Sequence, residues 1–578
     1  MCSKGLYRIL NFYKGVLKIE ENGNIYILMN YALRDIKNVE LLKSTFPKLI
    51  FKQVASYIYT VQVPKESEQE FVRLQQVINF ILEPTPFGLN VTNALEVSNI
   101  SIFHNYPYGE LRGRGVLIGF VDTGIDYTNT LFQNADGTTR IISIWDQTIQ
   151  GNPPETYGYG SIYSQRDINA ALQAEAPFSI VPSRDEIGHG TFLAGIAAGN
   201  DQTNIDGFAG GAPDSSIVMV KLRQVSARIR DYHMINKEVP AYQDTDILTG
   251  INYLLEVAYD LNRPIVICIG MGSNYGPHNG TEILEIFLQE LSIAPNVITV
   301  IAAGNEANSG HHYRGEVALG MSEVVEINVG ENESGFIMFM MTASVNRLRI
   351  SIRSPLGQVI ESIPILSQQD QTYSFNLERA IATVTYRYPS FLSGDEQIVI
   401  RLQNPTPGIW SLVILGEIIV DGVFHIWLPR RDFIENTTRF LRPDPNTTVQ
   451  IPGTQRFSLI VGAYDYIDDS VYIASGRGPT PNGVIKPNII APGVNIQGPS
   501  PGGGFTTYTG TSAAAAITAS ACALLLQWAV VDKNSPYMNT VIATGILVKG
   551  ARRQKNVMYP NNLEGYGRLD LQSSIADI

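Results

Sequence analysis

The sequence predicts an α/β protein that also has an N-terminal α+β domain and an all-β domain inserted into the α/β domain. Three observations predict this architecture. From Gly115 onward, short apolar runs rich in Val and Ile each end in a polar or glycine residue, as expected of strands buried on both faces of a parallel sheet. Between about Gly310 and Pro452, strand patterns separated by turn residues replace the helical ones. The first pattern then returns, so the β-rich block is an insertion.

These changes of pattern divide the 578 residues into four segments. The linker that follows the N-terminal domain, Glu83 to Ala94, contains two prolines and one glycine and is expected to be exposed and extended. The predicted segments are an N-terminal domain with its linker (1–93), a first α/β segment (94–309), a β-sandwich or jelly-roll domain (310–452) and a second α/β segment (453–578).

The N-terminal segment has the pattern of a small α+β domain. Strand-like runs and amphipathic helical patterns follow in the order strand, strand, helix, strand, strand, helix, in the style of split βαβ folds. The predicted strands are Val16–Ile19, Ile25–Met29, Leu49–Val54 and Tyr57–Val63, and the predicted helices are Leu33–Phe46 and Glu66–Leu82.

Helices in the α/β segments are expected to connect one parallel strand to the next. The patterns at Asp244–Leu261 and Gly280–Leu291 predict two such crossovers. The apolar stretch Ala513–Val531 is nearly long enough to span a bilayer. Because polar residues such as Thr518 and Gln527 interrupt it and no basic residues flank it, we predict a helix buried in the core and no membrane span.

The composition argues against several classes of protein. Hydrophobic residues make up 44% and charged residues 17%, which indicates a folded globular chain and not a disordered one. The net charge of −12 argues against a general attraction to nucleic acid or to anionic lipid. Cys2, Cys268 and Cys522 are too few for a disulfide framework, and the last two lie in apolar runs where a thiol serves as a small core residue.

The sequence gives no pattern that implies a metal or a cofactor. His311 and His312 are adjacent and not spaced as zinc ligands, and a histidine pair in a loop is usually solvated. The N-terminus lacks the sustained apolar region of a secretory signal. We therefore expect synthesis in the cytoplasm.

Three short motifs place polar residues at the ends of buried elements. Asp122 ends the apolar run VLIGFVD, where a carboxylate without a partner is costly. His189 lies in GHGTFLAG and precedes an apolar helical pattern, and Ser512 lies in GTSAAAA at the start of another. Taken singly, each has a structural interpretation: a helix cap at Asp122, a structural or solvated histidine, and an N-cap serine.

Together, in the order Asp, His, Ser, these stretches resemble the signature motifs of the subtilisin-like serine proteases. The resemblance extends from about Leu111 to the C-terminal GYGRLDLQSSI and implies an endopeptidase that acts on protein or peptide substrates. It implies that Ser512 is the nucleophile and His189 its base. Asp122 then holds the His189 tautomer and stabilises the imidazolium.

The resemblance also implies an oxyanion hole and a substrate-binding strand. Asn305, in AAGNE, matches the asparagine that completes the oxyanion hole together with the backbone N–H of Ser512. The residues implied to bind the substrate are Gly270, Met271, Gly272 and Gly304.

The chain departs from the family pattern in two places. The separation of His189 from Ser512 is unusually long, and the inserted β domain explains it. The family commonly has methionine directly after the serine and proline four residues after it, where this chain has Ala513 and Ala516. Alanine is a better helix former than proline, so we expect the helix to persist.

Subtilisin-like proteases are usually made with a prodomain that assists folding and is then cleaved. The resemblance implies that residues 1–93 are such a prodomain, cleaved by the enzyme itself around Gly88–Ser98, and that it leaves or stays bound afterwards. The prodomain, the β insertion and the segment GTSAAAAITASACALLLQWAV together most resemble the clostridial Csp germination proteases. That resemblance implies a spore-associated enzyme that activates a cortex-lytic zymogen by limited cleavage.

Two other functions are compatible with the sequence. A catalytically silent sensor or scaffold would use the protease fold to bind protein partners, although the intact Asp122, His189 and Ser512 favour the enzyme. The β domain would bind carbohydrate or protein if Trp410, in NPTPGIWSLVI, were a ligand platform, although a tryptophan in a strand is more often a core residue.

Overall fold

The computed structural model describes residues 24–29, 36–55, 58–64, 67–77, 81–82, 94–105, 110–201, 207–390 and 393–576. The chain forms two compact units, Met1–Val91 and Thr92–Ile578. The second unit contains the mainly parallel α/β sheet and the antiparallel sheets of the insertion.

The described part of the N-terminal unit is a four-stranded antiparallel sheet with two helices. Buried Phe46, Val61 and Leu74 belong to its core. Its elements are β1 (Asn24–Met29), α1 (Ile36–Thr45), β2 (Ile50–Ala55), β3 (Ile58–Val63), α2 (Glu68–Val77) and β4 (Ile81–Leu82), and the sheet order is β2-β3-β1-β4.

Two predicted elements of this unit need comment. The predicted strand Val16–Ile19 lies outside the described residues. The prediction that the last helix continues to Leu82 is wrong, because Ile81–Leu82 forms an edge strand, and the described helix is Glu68–Val77. The backbone of this strand pairs with Ile27–Leu28 of β1, and these sheet hydrogen bonds replace those of a further helical turn.

The α/β domain is formed by two parts of the chain on either side of the β insertion. The strands of its first part are β5 (Leu117–Asp122), β6 (Ile141–Asp146), β7 (Ser161–Ser164), β8 (Ser216–Lys221), β9 (Ile265–Ile269) and β10 (Val297–Ala302). Its helices are α3 (Ala94–Val97), α4 (Gln165–Leu172), α5 (His189–Ala198), α6 (Ala227–His233), α7 (Asp244–Asp260) and α8 (Ile283–Leu291).

The insertion contains two antiparallel sheets whose facing side chains form a separate core. Its strands are β11 (His312–Glu316), β12 (Ser322–Val329), β13 (Gly335–Thr342), β14 (Arg347–Arg353), β15 (Val359–Ile360), β16 (Asp370–Phe375), β17 (Ala380–Arg387), β18 (Glu396–Gln403), β19 (Gly408–Ile418), β20 (Val423–Trp427) and β21 (Arg439–Phe440). The sheet orders over the described residues are β11-β20-β13-β18-β17-β16 and β15-β14-β19-β12-β21.

The chain then returns to the α/β sheet. The remaining elements are β22 (Leu459–Tyr464), β23 (Ile489–Pro492), β24 (Ile496–Pro499), β25 (Phe505–Tyr508), α9 (Thr511–Leu526), α10 (Thr540–Gly550) and α11 (Leu571–Ile575). The sheet order is β23-β22-β10-β9-β5-β8-β6-β7, and of the described neighbours only β6 and β7 pair antiparallel. Strands from both parts lie side by side, which confirms the predicted α/β sheet and the inserted β domain.

The helices of the α/β domain follow the sequence patterns closely. The crossover predicted at Asp244–Leu261 is present as α7. The helix predicted from Gly280 begins later, because Glu282 and Glu285 form a reciprocal capping box that fixes its start. Among the described residues, one helical stretch is long and apolar enough to cross a membrane, Thr511–Val531, and most of it is buried inside the fold. The prediction of a core helix is confirmed, and Ala513 and Ala516 do not interrupt it.

Three predictions about single residues can be decided from burial. Cys268 and Cys522 are both buried, as expected of core residues. Trp410 is only 1% exposed, packs edge-on against Phe375 at 4.9 Å, and is a core residue of the β domain.

The expectation that His311 and His312 are solvated is wrong, because the two side chains are 3% and 1% exposed. The His312 ring stacks on Trp427, and its Nε2 lies 3.0 Å from Nδ1 of His425. The pair is therefore part of the packing around β11 and β20.

Candidate active site

Three neighbouring parallel strands of the α/β sheet end at the candidate site. Strands β10, β9 and β5 are adjacent, and their carboxyl ends lie at the same edge of the sheet. Asp122 is the last residue of β5, Gly270 directly follows β9, and Asn305 follows β10. Ligands of open α/β sheets bind at this edge. The fold thus brings together residues that are far apart in the sequence.

Asp122 and His189 form the first contact of the site. Nδ1 of His189 lies 2.8 Å from Oδ1 and 3.0 Å from Oδ2 of Asp122, which is buried. Burial lowers the pKa of His189, but the charge of Asp122 and its hydrogen bond outweigh this effect, so the pKa is raised above its usual 6.5. Because Nδ1 is engaged by the carboxylate, Nε2 is the ring nitrogen left to accept a proton.

A buried carboxylate that the sequence analysis did not single out holds the start of α5. Oδ1 of Asp185 accepts hydrogen bonds from Oγ1 of Thr123 and from the backbone N–H of Gly188, each 2.8 Å long. Oδ2 accepts from the backbone N–H and the hydroxyl of Thr191. These bonds connect the strand end at Asp122 to the helix that begins with His189, so Asp185 is a positioning residue.

Ser512 is the second residue of α9, where backbone N–H groups have no intrahelical acceptor. Its hydroxyl donates to the carbonyl oxygen of Gly270 over 2.7 Å. A Cβ placed on Gly270 would lie 3.0 Å from Cε1 of His189 and 3.4 Å from Cβ of Ser512. The imidazole and the serine therefore both border the space beside the α-carbon of Gly270, and a larger residue there would disturb both.

The side chain of Asn305 lies at the start of the same helix. Its Oδ1 accepts from the backbone N–H of Thr511 at 3.0 Å, which fixes the orientation of the amide and leaves Nδ2 as its donor group. The Asn305 amide therefore lies at the N-terminal end of α9, next to the residue that precedes Ser512. Gly304 is held differently: its N–H donates to Oγ1 of Thr511, and its carbonyl accepts from Gly476, so its backbone supports the helix start.

The predicted substrate strand, Gly270–Gly272, has one edge against the protein and one edge facing the site. The next residue, Ser273, pairs in both directions with Ile451. Because successive carbonyls of an extended chain point to opposite sides, those of Gly270 and Gly272 point away from Ile451. Met271 packs against the apolar cluster beneath the sheet.

The β insertion contributes side chains that the sequence analysis did not identify. Nη1 of Arg430 donates to the carbonyl oxygen of Gly272 over 2.8 Å. Arg431 contacts the buried carboxylate of Glu306, the residue after Asn305. No local motif marks these arginines, because their partners are more than a hundred residues away in the sequence.

The model of the Subtilase family matches residues 113–354 and 436–567. These two stretches make up more than half of the chain, and they contain Asp122, His189, Asn305 and Ser512. The chain belongs to the subtilase family. Most of the β domain lies in the gap between the two matched stretches.

This subtilase is similar to a solved structure, the CspB protease of Clostridium perfringens. The two share 33% sequence identity with a TM-score of 0.74, over 84% of this chain and 98% of the other. This likeness extends beyond the sheet core, since the shared region is longer than the two family-matched stretches together.

The subtilase is also similar to large proteinases of lactic acid bacteria. It is 36% identical to a PII-type proteinase of Lactococcus lactis subsp. cremoris over 474 residues, and 22% identical to a PII-type proteinase of Lacticaseibacillus paracasei over 477 residues. Each alignment covers 76% of this chain, and the chain spans only 23% of the length of either proteinase.

The arrangement of this subtilase suits acyl transfer. A buried carboxylate at Asp122 orients an imidazole, and a serine lies at a helix N-terminus, where backbone N–H groups have no intrahelical acceptor. Within the described ranges, no group of three or more His, Cys, Asp or Glu side chains is placed to hold a metal ion.

Proposed function

We propose that this subtilase is a serine endopeptidase with Ser512 as nucleophile, His189 as general base and Asp122 as the residue that orients His189. The observation that carries the proposal is the Asp122–His189 hydrogen bond at 2.8 Å beside a serine at the N-terminus of α9. Nε2 of His189 takes the proton of Ser512 as the hydroxyl attacks the peptide carbonyl, and later gives it to the leaving amine. Water then hydrolyses the acyl-enzyme.

The negative oxygen formed in this attack needs donors that are already in place. Nδ2 of Asn305 and the backbone N–H of Ser512 supply them, and the positive end of the α9 dipole adds to the stabilisation. The bond from Thr511 to Oδ1 of Asn305 holds the amide before a substrate arrives. Such preorganised donors lower the barrier without further reorganisation.

The physiological reaction in this proposal is limited proteolysis. The enzyme cleaves its own N-terminal unit from the α/β domain near Gly88–Ser98, after which the unit leaves or stays bound. It then activates a protein zymogen, which in a spore is a cortex-lytic hydrolase. The separate compact fold of residues up to Val91 and the likeness to the CspB protease support this reading.

A silent sensor or scaffold remains the second candidate because of one observation. The Ser512 hydroxyl is bonded to Gly270 and not to His189 in the described structure. Rotation about a single side-chain bond redirects this hydroxyl, and catalytic hydrogen bonds are often formed only when a substrate is bound. We therefore favour the enzyme.

The test compares wild type with Ser512→Ala, followed by gel analysis and N-terminal sequencing. Wild type is expected to separate into a small fragment ending between Gly88 and Ser98 and a large remainder, and to react with a fluorophosphonate probe. Ser512→Ala is expected to remain one unlabelled chain. The matched control is Ser535→Ala. The backbone N–H of Ser535 donates to the carbonyl oxygen of Ala529, and the substitution keeps this bond. We expect this variant to behave as wild type. Intact, unlabelled wild-type protein would establish the scaffold instead.

A further inference from the structure

Arg430 lies on the edge of the strand that is proposed to bind the substrate. Its Nη1 is 2.8 Å from the carbonyl oxygen of Gly272, while the hydroxyl of Ser512 is 2.7 Å from that of Gly270. These two carbonyls point to the same side, opposite to the side on which Ser273 pairs with Ile451. The guanidinium and the proposed nucleophile therefore lie along one edge, two residues apart.

The segment that carries Arg430 is fixed to the α/β domain on both sides of this residue. Before it, the carbonyl oxygen of Leu428 accepts a hydrogen bond from Nδ2 of Asn274. After it, the backbone N–H of Arg431 donates to Oε2 of Glu306 at 3.3 Å, and Nε of Arg431 lies 3.6 Å from Oε1. The segment that follows β20 is thus held against the α/β domain beside the proposed substrate strand.

Arg430 keeps a positive charge that water and ligands reach. Its side chain is 28% exposed, and it forms a two-pronged ion pair with Asp432, whose side chain is 42% exposed. An ion pair this open to water is weak. A guanidinium has five N–H groups, so it is able to bind a second carboxylate while Asp432 remains in contact. The charge of Arg431, in contrast, is paired with the buried Glu306.

We propose that Arg430 is a specificity-determining residue that binds an acidic side chain of the substrate. The inference rests on the proposed endopeptidase function. A substrate strand that pairs with Gly272 brings its own N–H to the carbonyl oxygen that Arg430 now occupies. The guanidinium then leaves that oxygen and faces the side chain of the incoming residue. A carboxylate there replaces the lost hydrogen bond, whereas a lysine or arginine is repelled.

The experiment measures kcat/KM on a matched peptide series with the full chain. The parent peptide has the sequence of residues 83–98, which contains the linker and the whole proposed cleavage region. Glu or Lys replaces, one at a time, each residue up to four positions on either side of the cleaved bond. The enzymes are wild type, Arg430→Gln, which keeps a donor for Gly272 without the charge, and Arg430→Glu. Arg353→Ala removes the same charge from β14, where Nη2 of Arg353 donates to Ser411, and is the control.

At one of the substituted peptide positions, wild type and Arg353→Ala are expected to prefer Glu over Lys about tenfold in kcat/KM. This preference combines the attraction of one exposed ion pair with one like-charge repulsion. Arg430→Gln is expected to lose this preference, and Arg430→Glu to invert it. Equal thermal stabilities of the variants and wild type exclude a folding defect. If Arg430→Glu does not fold, the charge preference of Arg430→Gln alone tests the proposal.

Fluorophosphonate labelling separates the two levels of the proposal. An enzyme that labels fully, cleaves the peptides and shows no charge preference dependent on residue 430 overturns the role of Arg430 and leaves the protease intact. A wild-type chain that neither labels nor cleaves overturns the protease and, with it, this inference.

Discussion

The Ser512 hydroxyl donates to the carbonyl oxygen of Gly270, 2.7 Å away, and so occupies the acceptor nearest to the proposed nucleophile on the substrate edge. In the proposed mechanism, a substrate N–H that binds this oxygen competes with the hydroxyl, which then turns toward Nε2 of His189. The proposal thus links binding of the peptide to activation of the serine through one carbonyl group.

Gly270→Ala tests how closely these groups are packed. The added Cβ would lie 2.7 Å from Cδ1 of Leu193 and 3.0 Å from Cε1 of His189, closer than carbon atoms approach without displacement. We expect kcat to fall at least tenfold as His189 shifts, with a smaller loss of stability. Gly545→Ala is the control, because its Cβ meets nothing within 4 Å in helix α10. That substitution is expected to raise the free energy of unfolding by about 0.5–1 kcal/mol and to leave kcat unchanged.

The pH dependence of kcat/KM tests the Asp122–His189 contact. His189 must be neutral to accept a proton, so activity rises as the pH passes its pKa. Burial lowers this pKa but the Asp122 carboxylate raises it more, so the acid limb of wild type is expected above pH 6.5. Asp122→Asn removes the charge and keeps the burial, which moves the limb to lower pH and lowers kcat by about 10⁴ as the tautomer is lost. An acid limb at the same pH in Asp122→Asn as in wild type would show that Asp122 does not raise the pKa of His189.

Asn305→Ala tests the oxyanion hole. Loss of one preorganised donor is expected to lower kcat by about 10²–10³ with little change in KM. Thr511→Val removes the hydroxyl that bonds to Gly304 and Asn305 but leaves Nδ2 of Asn305 in place. We expect Thr511→Val to lower the melting temperature more than it lowers kcat. Equal kcat losses in the two variants would show that Asn305 acts through the helix start alone.

The parts of the structure that the sequence predicts are those set by local patterns. Buried apolar runs predicted the α/β sheet, and the alanine-rich stretch predicted α9, because strand and helix periods are properties of neighbouring residues. Asp122, His189 and Ser512 could be nominated because each lies in a short motif. Their roles remain predictions, and the geometric support for them is the bond between Asp122 and His189 and the closeness of His189 and Ser512 to Gly270.

The features that sequence analysis missed depend on contacts between distant segments. Arg430 contacts Gly272 across 158 positions of the chain, and no period or motif encodes such a pair. The burial of His312 follows from strand pairing of β11 with β20, which a histidine pair in a turn-rich stretch does not indicate. The short strand at Ile81–Leu82 was missed because a helical pattern continued into it while an open sheet edge offered alternative hydrogen bonds.

Acid stability tests the histidine cluster around Trp427. The His278 ring is fully buried, stacks on Trp427 at 4.3 Å, and has its two nitrogens 2.8 and 3.1 Å from backbone carbonyl oxygens. Burial lowers its pKa from 6.5 to about 4. The unfolded chain therefore binds the proton more readily between pH 6.5 and 4, so this residue makes the protein less stable as the pH falls through that window, by up to about 3 kcal/mol.

His278→Gln removes this titration and keeps a polar side chain able to bond to a carbonyl. We expect it to lower the melting temperature at pH 7, because the stacking on Trp427 is lost. The slope of melting temperature against pH between 6.5 and 4 is expected to become smaller than in wild type. Burial also lowers the pKa of the neighbouring His312 and His425, so a residual slope persists. A variant with the full wild-type slope would place the acid sensitivity outside His278, because the lost stacking on Trp427 lowers the melting temperature without adding or removing a titrating group.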